Sequence, residues 1–137
     1  MALAQRFAQV FGAVYVLVGI LGFIPPLLTA RAVDSTFTGL LLGLFAVSWL
    51  HSAAHLLIGV AGLATYRNLA SAKAYALTIG VVYAALFVLG LIFGVTFLGG
   101  LLPLNSWDNI LHLLTALVAL GAYLASPGRG TLGAAPS

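Results

Sequence analysis

The chain has 137 residues, of which 63% are hydrophobic and 5% charged, and its mean hydropathy is +1.19. A soluble domain carries about 25% charged residues, so this composition excludes a cytosolic enzyme and a disordered chain. It also excludes a nucleic-acid binder, despite the net charge of +3. The class it implies is an integral membrane protein.

The charges divide the chain. They are Arg6, Arg31, Asp34, Arg67, Lys73, Asp108 and Arg129, and the stretches 7–30, 35–66, 74–107 and 109–128 carry none. A membrane-spanning helix needs about 20 apolar residues. Each stretch holds one span, and the two longest also hold a loop. The reading is therefore a single domain over 1–126, with helices near 8–28, 47–65, 74–94 and 106–125, followed by a flexible Gly/Pro/Ala-rich tail at 127–137. The first apolar run superficially resembles a signal peptide ending at Ala30-Arg31-Ala32. It is long for one, and Pro25-Pro26 interrupts it. The outer connections, about 29–46 and 95–105, are apolar and either extend a helix or fold over the outer mouth. The inner loop, Tyr66 to Ala72, is short and polar.

With alternating helices, Arg6, Arg67, Lys73 and Arg129 fall on one side and Arg31 on the other. The positive-inside rule then places both termini in the cytoplasm. Trp49 and Trp107 fall toward the outer interface, where aromatic belts form. The absence of cysteine excludes disulfides, thiolate metal sites and cysteine lipidation.

The two halves resemble each other. A shift of 68 positions brings Ala8, Gly12, Val14, Tyr15, Leu21, Gly22 and Ile24 onto Ala76, Gly80, Val82, Tyr83, Leu89, Gly90 and Ile92. A shift of 57 brings Leu44, His55, Leu56, Leu57 and Leu63 onto Leu101, His112, Leu113, Leu114 and Leu120, and Ser48 and Ser52 onto Asn105 and Asn109. The predicted fold is all-α: a four-helix bundle of two tandem helical hairpins, related by a pseudo-two-fold axis along the membrane normal. Recurrent small residues (Ala8 and Gly12, Gly90 and Gly94, Gly121 and Ala125) suit close helix packing.

All three histidines lie in predicted spans. His51 and His55 are four apart on helix 2, and Asp108 and His112 are four apart on helix 4, so each pair shares a helix face. If helices 2 and 4 face each other across the axis, His51, His55, Asp108 and His112 converge at one depth. Ionisable groups inside a membrane turn inward, pair or mark a functional site. Three imidazoles and a carboxylate form a shell for Zn²⁺ or another transition metal, with Ser48, Ser52, Asn105 and Asn109 as surrounding partners that orient them.

A plainer reading competes with the metal. Ser48 and Asn105 are good helix caps, which puts His51 and Asp108 at the third helical position, where a carboxylate completes a capping box. On that reading the cluster is a buried hydrogen-bond network. Haem is the runner-up cofactor, through His55 and His112 as axial ligands, and pigment binding and proton or solute passage are further alternatives. Tyr15 and Tyr83, at equivalent positions, are read as interfacial, with cross-bonding between halves as the alternative. Gln5 and Gln9 read as snorkelling or capping groups at the inner edge. There is no glutamate, and no activated nucleophile, paired carboxylates or phosphate-binding loop stands out.

The stretch from Leu44 to Leu56, containing Ser48-Trp49-Leu50-His51-Ser52-Ala53-Ala54-His55, with Gly59-Val60-Ala61-Gly62 after it, resembles the signature of a bacterial membrane-protein family catalogued as domain-of-unknown-function 4383. Leu101-Leu102-Pro103-Leu104-Asn105 with Asp108-Asn109 and His112-Leu113 resembles its second signature, and Val18 to Pro25 also fits. The resemblance covers roughly residues 5–125. Asn commonly flanks the first histidine in the family, with Pro ahead; this chain has Ser48, Ser52 and Ala46 there. The resemblance implies a four-span membrane protein and no activity. The expectations are thus a bacterial cytoplasmic-membrane protein, in contact with lipid and with a homo-oligomer or larger membrane complex, and not with nucleic acid. Its function is either metal binding at the His/Asp cluster or an accessory, structural role.

Overall fold

The computed structural model describes residues 1–24, 28–29 and 39–128. Within them lie four helices: α1 (Leu3–Leu21), α2 (Trp49–Thr65), α3 (Leu69–Phe93) and α4 (Ser106–Leu124). α1, α3 and α4 are long and apolar enough to cross a membrane; α2 is apolar but has 17 residues. At 1.5 Å per residue it is about 26 Å long, close to the hydrocarbon thickness.

Helix boundaries depart from expectation at two starts and one end. α1 begins at Leu3 rather than near residue 8, with the Gln5 side chain accepting from the Ala2 N–H at its first turn. It ends at Leu21 rather than near 28, ahead of Pro25, which cannot continue a helix. α3 begins at Leu69 because Asn68 caps it, its side chain accepting from the Ser71 N–H at 3.0 Å. The expectations for Pro25-Pro26, Arg31, Asp34, Arg129 and the tail beyond Gly128 lie outside the described residues.

Between α1 and α2 the described residues are 22–24, 28–29 and 39–48, and they form no helix. They include a small antiparallel sheet, β1 (Leu28–Thr29), β2 (Gly39–Leu41) and β3 (Phe45–Val47), in the order β1-β2-β3. Leu40 pairs with Ala46 at the centre of the β2–β3 hairpin. Leu41 and Val47 are buried and pack with Val18 and Leu21, so the sheet folds onto the end of α1. The second connection is a short helical turn over Gly94–Gly100, broken at Phe97, Leu98 and Gly99.

α1 packs chiefly on α2 and α3 chiefly on α4; between these pairs the broadest contact is α1 with α3, whereas α2 and α4 meet least. The interior faces follow the repeat. Ala4, Phe7, Ala8, Gly12 and Tyr15 are buried in α1, and so are Ala72, Tyr75, Ala76, Gly80 and Tyr83, 68 positions on, in α3. His51, Ser52, His55, Gly59 and Gly62 are buried in α2, and so are Asp108, Asn109, His112, Ala116 and Ala119, 57 positions on, in α4.

Close contacts repeat too. An added Cβ at Gly12 would lie 2.9 Å from the Gly59 carbonyl and from the Leu63 amide; at Gly80 it would lie 2.6 Å from the side chain of Leu120, the equivalent of Leu63. Glycine lets membrane helices approach to backbone contact, and here it does so at matching heights.

Candidate functional site

The helix starts position the polar residues. Ser48 accepts from the His51 N–H at 3.1 Å and caps α2. Asn105 accepts from the Asp108 N–H at 2.9 Å, and the Asp108 carboxylate returns a bond to the Asn105 N–H at 2.9 Å, closing the capping box foreseen for α4. The same Asp108 Oδ2 also accepts from the Ala46 N–H at 3.1 Å, tying β3 to the start of α4.

Both caps also reach across the bundle. The Ser48 hydroxyl donates to the Leu101 carbonyl, and the Asn105 side-chain amide donates to the Leu44 carbonyl at 2.7 Å. Ser48 and Asn105 are repeat equivalents, and so are Leu44 and Leu101. Each half therefore uses the same position to hold the same backbone group of the other half.

The three histidines are buried, at 3%, 6% and 2% exposure for His51, His55 and His112. The rings of His51 and His55 lie 4.5 Å apart. His55 and His112 do not simply face each other, because the α1–α3 contact lies between the helices that carry them. Tyr15 sets its ring edge-on to His55 at 4.8 Å, Tyr83 does so to His112 at 5.2 Å, and the two tyrosines meet at 5.8 Å. The rings of His51, His55, Tyr15, Tyr83 and His112 thus pack as one buried cluster, and both tyrosines are buried.

This arrangement corrects two expectations. α2 and α4 make little direct contact, because α1 and α3 close the shorter diagonal and set their aromatic side chains, Phe11, Tyr15 and Tyr83 among them, between the other two helices. Tyr15 and Tyr83 are not interfacial; they fill the centre. Among the described residues, no three His, Asp or Glu side chains form a group that could hold a metal ion. The Nδ1 atoms of His51, His55 and His112 have no hydrogen-bond partner among the described residues. Ser52 and Asn109 are buried against the glycines of the neighbouring helices, and Ser52 Oγ and Asn109 Oδ1 have no hydrogen-bond partner among the described residues. An added Cβ at Gly22 would collide with the Ser52 hydroxyl, and one at Gly90 with the Asn109 side chain.

The family model described as a domain of unknown function, DUF4383, matches residues 5–125, nearly the whole chain. The chain belongs to the DUF4383 family. No curated protein and no solved structure matches it. The match spans both halves of this DUF4383 protein, its interlocked caps and its cluster of rings, and it assigns no activity to them.

Tyr15 and Tyr83 carried a signal that their residue type obscured. They are repeat equivalents seven residues before Gly22 and Gly90, and so lie on the same helix face as those glycines.

Proposed function

We propose that the protein acts in the bacterial cytoplasmic membrane as a structural or accessory subunit, with the His/Asp cluster serving as the polar core that locks its two halves together. On this reading all four helices span, both termini are cytoplasmic, and the two hairpins are related by a pseudo-two-fold axis along the membrane normal. The reciprocal cap exchange, Ser48 to Leu101 and Asn105 to Leu44, carries the reading, since it spends the site's hydrogen-bonding groups on joining backbone to backbone. Asp108 is spent likewise, on Ala46 and Asn105. The outward faces offer apolar side chains to lipid or a partner, among them Leu57, Leu91, Leu117 and Val118. Exposed Trp49 and Trp107, at the helix starts near the sheet, suit the outer interface.

A second reading, a transition-metal site at His51, His55, His112 and Asp108, with Zn²⁺ as the candidate, is favoured by the three imidazole Nδ1 atoms left without partners. It requires the rings to regroup, since no three of the His, Asp and Glu side chains form a metal-holding group among the described residues, so the first reading fits the geometry better.

The deciding experiment is elemental analysis with an absorption spectrum on detergent-purified protein lacking a polyhistidine tag, alongside a His55→Ala/His112→Ala variant. The expected result is no stoichiometric metal and no Soret band, with the variant less stable. Stoichiometric metal lost in the variant overturns the structural reading in favour of the metal, and a Soret band lost in the variant overturns it in favour of haem.

A further inference from the structure

Equivalent seams between the two halves have been finished differently. In the α2–α3 seam, Tyr75 donates its hydroxyl to the Ile58 carbonyl at 2.9 Å, and an added Cβ at Gly62 would lie 2.9 Å from that hydroxyl. The α1–α4 seam is its repeat counterpart. There Phe7 replaces Tyr75, Thr115 replaces Ile58 and Arg6 replaces Ala74. Along this seam lies an open groove of about 570 Å³, lined almost wholly by apolar groups, with Phe7, Val10, Val14 and Val118 along it and Arg6 among its lining residues.

Arg6 differs from the other basic residues at this end of the bundle. Lys73 donates to the carbonyls of Ser126 and Pro127, and Arg67 donates to the Tyr66 hydroxyl. Arg6, exposed in the first turn of α1, has no partner among the described residues. An apolar slot within the membrane, with an unpaired guanidinium at its basic end, matches one molecule of that environment. Acyl chains fill such a slot, and a guanidinium pairs with phosphate through two parallel hydrogen bonds. Basic pockets between membrane helices hold anionic headgroups in this way.

We infer that the α1–α4 groove is a binding site for one anionic phospholipid, its acyl chain along Val10, Val14 and Val118 and its phosphate on Arg6. The inference rests on membrane residence but not on the role of the histidines. Two variants test it. Arg6→Ala copies the residue at the equivalent position in the other half and alters an exposed side chain. Val118→Trp places bulk in the groove from an exposed position. Extraction only by detergent establishes membrane residence separately.

The protein is then placed in nanodiscs of phosphatidylcholine with and without phosphatidylglycerol, and retained lipid is counted by native mass spectrometry. The expected result is about one phosphatidylglycerol held per chain in preference to phosphatidylcholine. Arg6→Ala should weaken that preference about fivefold, and Val118→Trp should abolish retention while leaving the thermal midpoint in phosphatidylcholine unchanged. Equal retention in wild type and both variants overturns the site. Equal retention of the two lipids by wild type overturns the role of Arg6 and with it the proposal. A lipid-free dimer that Val118→Trp dissociates overturns it in favour of an interface between copies.

Discussion

The α1–α2 half and the α3–α4 half place the same positions in the interior but not the same chemistry. Where the halves agree, as at Gly12 and Gly80, Tyr15 and Tyr83, or His55 and His112, the side chain packs at the centre or permits a close helix approach. Where they differ, one half has acquired a separate job. Asp108 stands where the other half has His51, and its carboxylate holds two backbone amides. Tyr75 stands where the other half has Phe7, and its hydroxyl bonds across a seam whose counterpart carries an open groove beside Phe7. Matched positions thus report what the bundle needs, and mismatched ones report what each half adds.

The largest expected effect comes from breaking the sharpest mismatch. Asp108→Ala strands the Ala46 N–H in a buried setting and removes the acceptor for the Asn105 N–H. At about 2 kcal/mol for each amide left without a partner, the loss is about 4 kcal/mol, measurable by SDS titration in mixed micelles. His51→Ala removes the equivalent side chain but leaves the cap of α2 in place, because Ser48 bonds the His51 backbone N–H. It should therefore cost less than half as much. Equal costs in the two variants would mean that Asp108 acts by packing and not through its hydrogen bonds.

A matched position gives the next test. Gly12→Ala pushes a methyl group against the backbone of Gly59 and Leu63, where nothing can rotate away. Overpacking of this kind costs about 3 kcal/mol at the upper end of its range. Gly80→Ala meets the Leu120 side chain first, which can change rotamer, so about 1 kcal/mol is expected. The same titration compares them, and a larger cost at Gly80 would show that the two hairpins are not packed with the asymmetry described.

These comparisons also explain what the sequence made legible. Caps are local: Ser48 and Asn105, with Asp108 three residues on, are readable because the chemistry of a helix start lies within one turn. The facing partner of a helix is not local. The four-residue spacing puts His51 with His55 and Asp108 with His112, yet it cannot say that α1 and α3 would close the shorter diagonal and set two tyrosines between the histidine helices. The sheet was illegible for another reason. Its described strands have two or three residues in an apolar run, and the β2–β3 turn places Leu42 at φ 54° beside Gly43 at φ 76°. A leucine in the left-handed region carries no turn signal, since that conformation costs a residue with a Cβ about 1 kcal/mol.

The smallest effect tests the seam mismatch from its hydrogen-bonded side. Tyr75→Phe removes one hydroxyl and gives the α2–α3 seam the residue its counterpart has at Phe7. The Ile58 carbonyl it bonded already serves its own helix, so the loss is that of a single net hydrogen bond, about 1 kcal/mol. The aromatic contact of residue 75 with Phe7, at 6.1 Å between centroids, should survive because both rings remain. Stability should fall by that amount, with no gain in phosphatidylglycerol retention, because position 74 is alanine and no guanidinium stands at the end of the seam. If this change by itself recruits anionic lipid, groove shape and not Arg6 selects the occupant. If it recruits none until Ala74→Arg is added, the headgroup contact is the selective element in both halves.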